Sequence, residues 1–89
     1  LRSVLMEPEH VTALFYSSID REQVKLSDEV ESLARNAGKK VALVDGYKNA
    51  RMVEKLGLPS LPAMVELASG KTVKMAPVAD ASAAEAFLQ

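Results

Sequence analysis

The side chains that could carry out acid–base, nucleophilic or metal chemistry are few in this chain of 89 residues. The absence of cysteine excludes a disulfide, a thiolate nucleophile and a thiol metal ligand. The single histidine, His10, excludes a multi-histidine metal site, and we expect it in an exposed loop before the first strand. Ser17 and Ser18 lack the Gly-x-Ser-x-Gly elbow of a serine nucleophile, and no glycine-rich phosphate loop is present. The residues therefore predict no catalytic centre, no metal and no cofactor.

The overall composition fits one ordinary globular domain. Hydrophobic residues make up 48% of the chain, and 11 basic against 12 acidic residues give a formal net charge of -1. This balance argues against nucleic-acid binding. No apolar run approaches the roughly 18 residues of a membrane span, so we expect no membrane insertion. No segment has the pattern of a signal peptide, the compartment is not indicated, and the start at Leu1 favours a domain of a longer protein or a processed chain.

The residue best placed for a special role is Asp20, which follows a run of strand-forming residues. Its carboxylate can accept from the backbone N–H of Gln23, and the Gln23 side chain can reach back, as in a capping box. An N-cap is the favoured role, because no second acid or base lies near Asp20 in sequence. The helix that it opens shows apolar residues at helical spacing and ends at Gly38 in a left-handed conformation; its predicted buried stripe is Leu26, Val30, Leu33, Ala34 and Ala37.

The elements that position Asp20 follow from hydrophobic patterning and from breaker residues. Leu1 to Met6 is interpreted as the end of a helix. Strands are predicted at residues 11–16, 41–44, 63–67 and 72–75, the last as a half-exposed edge; further helices are capped by Asn49 and by a Ser82/Glu85 capping box. The order is β-α-β-α-β-β-α, so the first two strands should be parallel and the last two should form a hairpin.

This order and several local segments resemble the thioredoxin fold. Residues 14–19, LFYSSI, are similar to the strand that leads into the family's active site. Residues 49–67, NARMVEKLGLPSLPAMVEL, are similar to its helix, Gly-aliphatic pair, cis-proline and following strand. The resemblance covers roughly residues 11–89 and leaves residues 1–10 as a connector. It implies an α/β thioredoxin-like domain with a minimal βαβαββα core, in which helices flank a four-stranded mixed sheet.

The chain departs from this family at its redox site. The family's Cys-x-x-Cys falls on Asp20-Arg21-Glu22-Gln23, and its buried proton-accepting acid falls on Leu14. The family's first strand and most of its first helix have no counterpart in the sequence. The resemblance therefore implies a redox-inactive member of the fold.

The resemblance also implies a place where a partner binds. In the family, a cis bond such as Leu61–Pro62 leaves the preceding backbone unpaired and facing the site, where it pairs with an extended partner segment. The residues predicted to bind a partner, four of them as a shallow apolar ring, are Ile19, Asp20, Leu58, Leu61, Pro62 and Val78. The alternative is that these are ordinary loop residues packed against the core.

Three functional hypotheses remain open from the sequence. The first is a non-catalytic domain that binds a protein partner or other domains of the same polypeptide, like the non-catalytic domains of disulfide isomerases and the hydrogenase-assembly chaperones. The second is a glutathione-binding domain of transferase type, in which Ser17 or Ser18 would bond the thiol, but no basic residue for the glycyl end can be placed. The third is a regulatory input domain of a larger signalling protein, of the circadian-clock type.

Overall fold

The computed structural model describes residues 10–69 and 71–88. Within these residues, one sheet in the order β2-β1-β3-β4 is flanked by three helices. The elements are β1 (His10–Tyr16), α1 (Arg21–Asn36), β2 (Val41–Asp45), α2 (Ala50–Leu56), β3 (Ala63–Ala68), β4 (Lys71–Pro77) and α3 (Ala81–Leu88). The predicted βαβαββα order is confirmed. His10 begins β1 instead of lying in a loop, and the helix expected at residues 1–6 lies outside the described residues.

The central strand is β1, which pairs with two neighbours of opposite direction. It runs parallel to β2, with Leu14 beside Leu43, because the α1 crossover returns the chain in the same direction. It runs antiparallel to β3, with Leu14 beside Met64. A hairpin turn adds β4 antiparallel to β3 at the edge. The nearly continuous apolar run of β1 therefore lies in the middle of the sheet and is covered on both faces.

The core has two layers, one on each face of the sheet. On one face Phe15 and Val44 pack with Leu58, and α2 contributes partly buried apolar residues. On the other face Leu14 packs with Leu26 and Val30, and α1 and α3 cover the sheet. The alternation of side chains along β1 divides its residues between the two layers. Between residues 10 and 88, Gly70 aside, no helix is long and apolar enough to cross a membrane.

The first helix follows its predicted buried stripe only in part, and Leu33 is half-buried. Leu26, Val30 and Ala34 are buried as expected, whereas Ala37 is exposed. Ser27 is buried instead, and its hydroxyl donates to the Val24 carbonyl at 2.6 Å. Burying this serine is inexpensive, because its hydrogen bond is made within the helix. The helix ends as predicted beside Gly38, which has a φ of 69°.

The predicted caps of the other two helices differ in outcome: Asn49 holds the N-cap position of α2 as predicted but makes no side-chain capping bond, and the cap predicted at Ser82 is wrong. Asn49 accepts no capping bond from α2; its side-chain amide instead donates to the Asp45 carbonyl at 2.9 Å. The last helix begins before Ser82, because the Asp80 carboxylate accepts from the Ala83 N–H at 2.9 Å. An aspartate earlier in the chain thus supplies the cap that the sequence pattern assigned to Ser82.

The edge strand β4 is longer and more exposed than predicted. All residues from Lys71 to Met75 are exposed, including Val73 at 52% and Met75 at 39%. The expected half-burial is therefore wrong along this stretch. The Lys74 ammonium lies 4.6 Å from the centre of the Phe87 ring, a cation–π contact between this edge strand and α3.

Candidate functional site

The candidate site lies where β1 ends, α1 begins and the proline loop before β3 crosses. Asp20 is the N-cap of α1, and its Oδ1 accepts from the backbone N–H groups of Glu22 at 3.0 Å and Gln23 at 3.4 Å. This carboxylate satisfies N–H groups that would otherwise be unpaired, and it lies at the positive end of the helix dipole. The predicted cap at Asp20 is confirmed.

The Gln23 side-chain amide joins three segments of the chain. Its Oε1 accepts from the Ser17 backbone N–H at 2.7 Å. Its Nε2 lies 3.2 Å from Asp20 Oδ2 and 3.3 Å from the Leu61 carbonyl oxygen, and it donates to both. One amide thus connects the end of β1, the cap of α1 and the proline loop; we call this set of contacts the Gln23 clip.

The Gln23 clip corrects two expectations. Gln23 does not reach back to the Asp20 N–H, which donates to the Ser17 carbonyl instead, so the capping box is only half formed. The Leu61 backbone is not left fully unpaired, since its carbonyl oxygen already accepts from Gln23. The capping-box pattern identified Gln23 as a polar residue near the helix start. The pattern could not identify the contacts of Gln23 with Ser17 and Leu61, which lie 6 and 38 residues away in sequence.

The proline loop contains the expected cis peptide bond between Leu61 and Pro62. The Pro62 carbonyl accepts from the Val78 N–H at 3.2 Å, which ties the loop to the segment before α3. The Leu61 side chain is half-buried against Gly46, where an added Cβ would lie only 2.7 Å from Leu61 Cδ1. Leu61 therefore contributes to packing as well as to the surface.

The predicted apolar ring is only partly present. Ile19 is 71% exposed, and Leu61 and Pro62 are half-buried. Leu58 and Val78 are 9% and 1% exposed, in the two different core layers, so they cannot form a surface ring. The geometry leaves the exposed Ile19 and Asp20 and the half-buried Leu61 and Pro62 as the part of the predicted site that reaches the surface, and partner binding there stays a prediction.

A groove of about 420 Å³ runs beside this surface, between the starts of α1 and α3. Pro62 and Leu26 are among its apolar lining residues. Its charged lining residues are Asp20, Glu22, Glu29, Asp80 and Lys25, four carboxylates against one ammonium. The groove therefore presents negative charge to any ligand at the proline loop.

Asp45, for which the sequence predicts no role, accepts hydrogen bonds at the end of β2 beside the site. Its Oδ1 accepts from the backbone N–H groups of Ser18 at 3.2 Å and Tyr47 at 3.0 Å. The Ser18 side chain makes the largest contribution to lowering the pKa of Asp45 below its usual value of 3.8, and backbone N–H groups lower it further. The single signal in the sequence is an Asp-Gly pair at the end of a strand, which is typical of a turn.

The arrangement supplies hydrogen bonds and a shape, but not the parts of a dithiol reaction. Leu14, at the position of the family's acid, is completely buried between Leu26 and Val30 and cannot accept a proton. Across residues 10–69 and 71–88, no three His, Cys, Asp or Glu side chains are grouped to hold a metal ion.

Comparison with solved structures identifies the fold. A mutant thioredoxin from Halobacterium salinarum NRC-1 superposes with a TM-score of 0.73 at 26% identity, covering 96% of this chain and 76% of that one. A thioredoxin from Plasmodium falciparum gives 0.80 at 18% identity, covering 97% and 85%. The thioredoxin of Trypanosoma brucei brucei gives 0.75 at 23% identity, covering 98% and 78%.

These likenesses establish a thioredoxin-like fold, as predicted. No protein-family model matches the sequence. No curated protein matches it either. The solved thioredoxins are therefore what this chain is similar to in fold, and the chain has no cysteine thiol with which to carry out dithiol chemistry.

Proposed function

We propose that this chain is a non-catalytic thioredoxin-like domain that binds an extended segment of a protein partner at Ile19, Asp20, Leu61 and Pro62. The observation that carries the proposal is the Gln23 clip, which places hydrogen-bonded amide and carboxylate groups where the family has its two sulfurs. A site held together by these groups can still present a shape without carrying out electron transfer.

The exposure of Ile19 supports the same proposal. A 71% exposed isoleucine at the start of a helix contributes nothing to the core, and burying it against a partner would be favourable by about 1–2 kcal/mol. Asp20, the residue after Ile19, and Pro62 both line the groove, which therefore has apolar and acidic parts. A regulatory input domain would be one form of this proposal, with the partner in the same signalling protein.

The charge of the groove disfavours the glutathione alternative. Glutathione carries two carboxylates and one ammonium group, whereas the groove places four carboxylates and only Lys25 around the proline loop. Repulsion between these carboxylates and those of glutathione weakens binding. We therefore expect no saturable binding in a calorimetric titration of the chain with reduced glutathione.

The proposal is tested by selecting displayed peptides on the wild-type chain and measuring their affinity for two variants. Ile19→Asp should weaken the selected peptides by about tenfold or more, because a charge replaces the apolar contact. Val73→Asp is the matched control, since Val73 is also exposed but lies on β4. Both variants should have a free energy of unfolding within about 1 kcal/mol of that of wild type. Equal binding to all three proteins would refute the proposed surface.

A thiol-driven insulin-reduction assay tests the non-catalytic part separately. The chain should give the rate of the reagent blank, because it has no thiol to exchange. A clear acceleration would overturn the non-catalytic assignment even if peptide binding were found.

A further inference from the structure

The groove between the starts of α1 and α3 is lined by apolar and acidic side chains in an ordered pattern. Leu26, only 6% exposed, and the half-buried Pro62 supply apolar lining. Glu22 and Glu29 also line the groove, four residues before Leu26 and three residues after it. Residues at these spacings share one face of a helix. The α1 side of the groove is therefore an apolar residue with a carboxylate on either side of it along the helix.

The charges around the groove do not cancel. The carboxylates of Asp20 and Asp80 accept backbone N–H groups at the starts of α1 and α3, where each helix supplies about half a positive charge. Within residues 10–69 and 71–88, the carboxylates of Glu22 and Glu29 take part in no hydrogen bond or ion pair. Lys25 is the one basic side chain among the described lining residues. Even with Lys25 and both helix ends counted, about two negative charges remain.

This negative charge is local to the groove. The whole chain has a formal net charge of only -1, so four carboxylates around one groove are a concentration of charge and not the average of the surface. On the opposite face of the sheet, α2 exposes Arg51 and Lys55. The field of the chain therefore directs a cationic group to the groove and away from α2.

A long basic side chain matches both parts of the lining. Lysine and arginine place their aliphatic stems along apolar surface and keep their charged ends at its rim. The volume of about 420 Å³ lies within the range of roughly 300–1,000 Å³ that is usual for ligand sites. We propose that the partner segment carries an arginine or lysine whose stem packs on Leu26 and Pro62 and whose charge lies between Glu22 and Glu29.

This inference rests on the proposed function and adds the chemistry of the partner to it. Asp20 and Pro62 belong both to the proposed partner surface and to the groove, so a segment bound at that surface passes beside the groove. A basic side chain there offsets the unpaired carboxylates. An acidic residue at the same place would be repelled, so the groove also selects against acidic partners.

Selection of random linear displayed peptides on the wild-type chain tests the inference first. The selected peptides should be enriched in arginine and lysine relative to the unselected library. Replacing the arginine of a selected peptide by citrulline, which has nearly the same shape without the charge, should weaken its binding. Binding should also weaken with rising salt concentration, because the contacts lie near the surface.

Substitutions in the groove test which carboxylates bind the basic residue. Glu22→Gln and Glu29→Gln should each weaken a selected basic peptide by about threefold, and the double variant by about tenfold, since the two sites are two helical turns apart. Lys25→Gln should tighten the same peptide, because it removes a competing positive charge. Glu54→Gln is the matched control: Glu54 is also an exposed glutamate, but it lies on α2, and its loss should leave the affinity unchanged.

The outcomes distinguish this inference from the proposed function. Peptides that are weakened by Ile19→Asp but contain no basic residue, or that bind the double variant as tightly as wild type, would overturn the inference and leave the partner surface in place. Basic peptides that depend on Glu22 and Glu29 but not on Ile19 would support the groove and refute the surface at Ile19.

Two further results would count against the groove. Equal weakening by Glu54→Gln and Glu22→Gln would show attraction to the chain as a whole and would overturn the inference. A library from which no peptide binds wild type would refute the proposed function and this inference together.

Discussion

Gln23 shows how one polar residue can replace a covalent link. In the resembled family, two cysteines lie where this chain has Asp20 and Gln23. Here the Gln23 amide is fully engaged, accepting from Ser17 and donating to Asp20 and Leu61. Each such bond contributes about 1 kcal/mol, and losing one partner exposes the cost of an unpaired group. The site is thus fixed by several weak, mutually dependent bonds.

Replacing Gln23 should destabilise the domain more than its half-buried position suggests. Gln23→Ala leaves the Ser17 N–H and the Leu61 carbonyl without their partner, so we expect a loss of about 1–3 kcal/mol in the free energy of unfolding. Gln23→Glu keeps the size and can accept from Ser17, but it cannot donate and it repels Asp20, so it should destabilise too. Urea denaturation measures both. A Gln23→Ala variant as stable as wild type would contradict a stabilising role for the Gln23 clip.

Asp45 should make stability depend on pH. Because hydrogen bonds lower its folded pKa below the value of 3.8, its ionised form stabilises the fold above about pH 4. That contribution is lost as the pH falls through the folded pKa. Asp45→Asn should therefore be less stable than wild type at pH 7, and the difference should narrow as the pH falls below about 4. Denaturation at several pH values measures this difference in the free energy of unfolding. A difference that stays constant down to about pH 3 would contradict a stabilising role for the ionised Asp45.

At the scale of elements, the first and last helices begin at aspartates just outside the helical residues. Asp20 was recognisable from the sequence because the helix it opens has a long apolar stripe. The start of α3 was not, since the Ala-rich segment 79–86 has no strong periodicity and both Asp80 and Ser82 are acceptable caps. In the structure the helix starts at Ala81, Asp80 is its cap, and Ala84 is buried in the core.

Two matched substitutions decide whether Asp80 or Ser82 caps α3. Asp80→Ala should cost about 1 kcal/mol of unfolding free energy, because the Ala83 N–H loses its acceptor. Ser82→Ala should be nearly neutral or slightly stabilising, since Ser82 is exposed within the first turn and alanine favours helix. Thermal unfolding of both variants checks the assignment. The opposite order of stabilities would restore the capping box at Ser82.

At the scale of the whole molecule, the sheet keeps the proposed partner surface distinct from the core layers. That surface lies at the end of β1 and in the proline loop, where Ile19 is 71% exposed. Leu14, in the central strand, is completely buried and packs with Leu26 and Val30. Substitutions of the exposed residues should therefore change partner binding more than they change the stability of the fold.

The sequence by itself determined the order of elements, the parallel pairing of the first two strands, the hairpin of the last two, the cap at Asp20 and the absence of a thiol. These follow from patterns within about 20 residues, such as the buried run of β1, and from residue types that are simply missing. The tertiary structure alone decided which loop residues are surface and which are core, moving Leu58 and Val78 inward and leaving Ile19 outside. It also decided the hydrogen-bond partners of Gln23 and Asp45. Contacts between segments far apart in the chain depend on how the layers pack, and the local periodicity of the sequence carries no information about that packing.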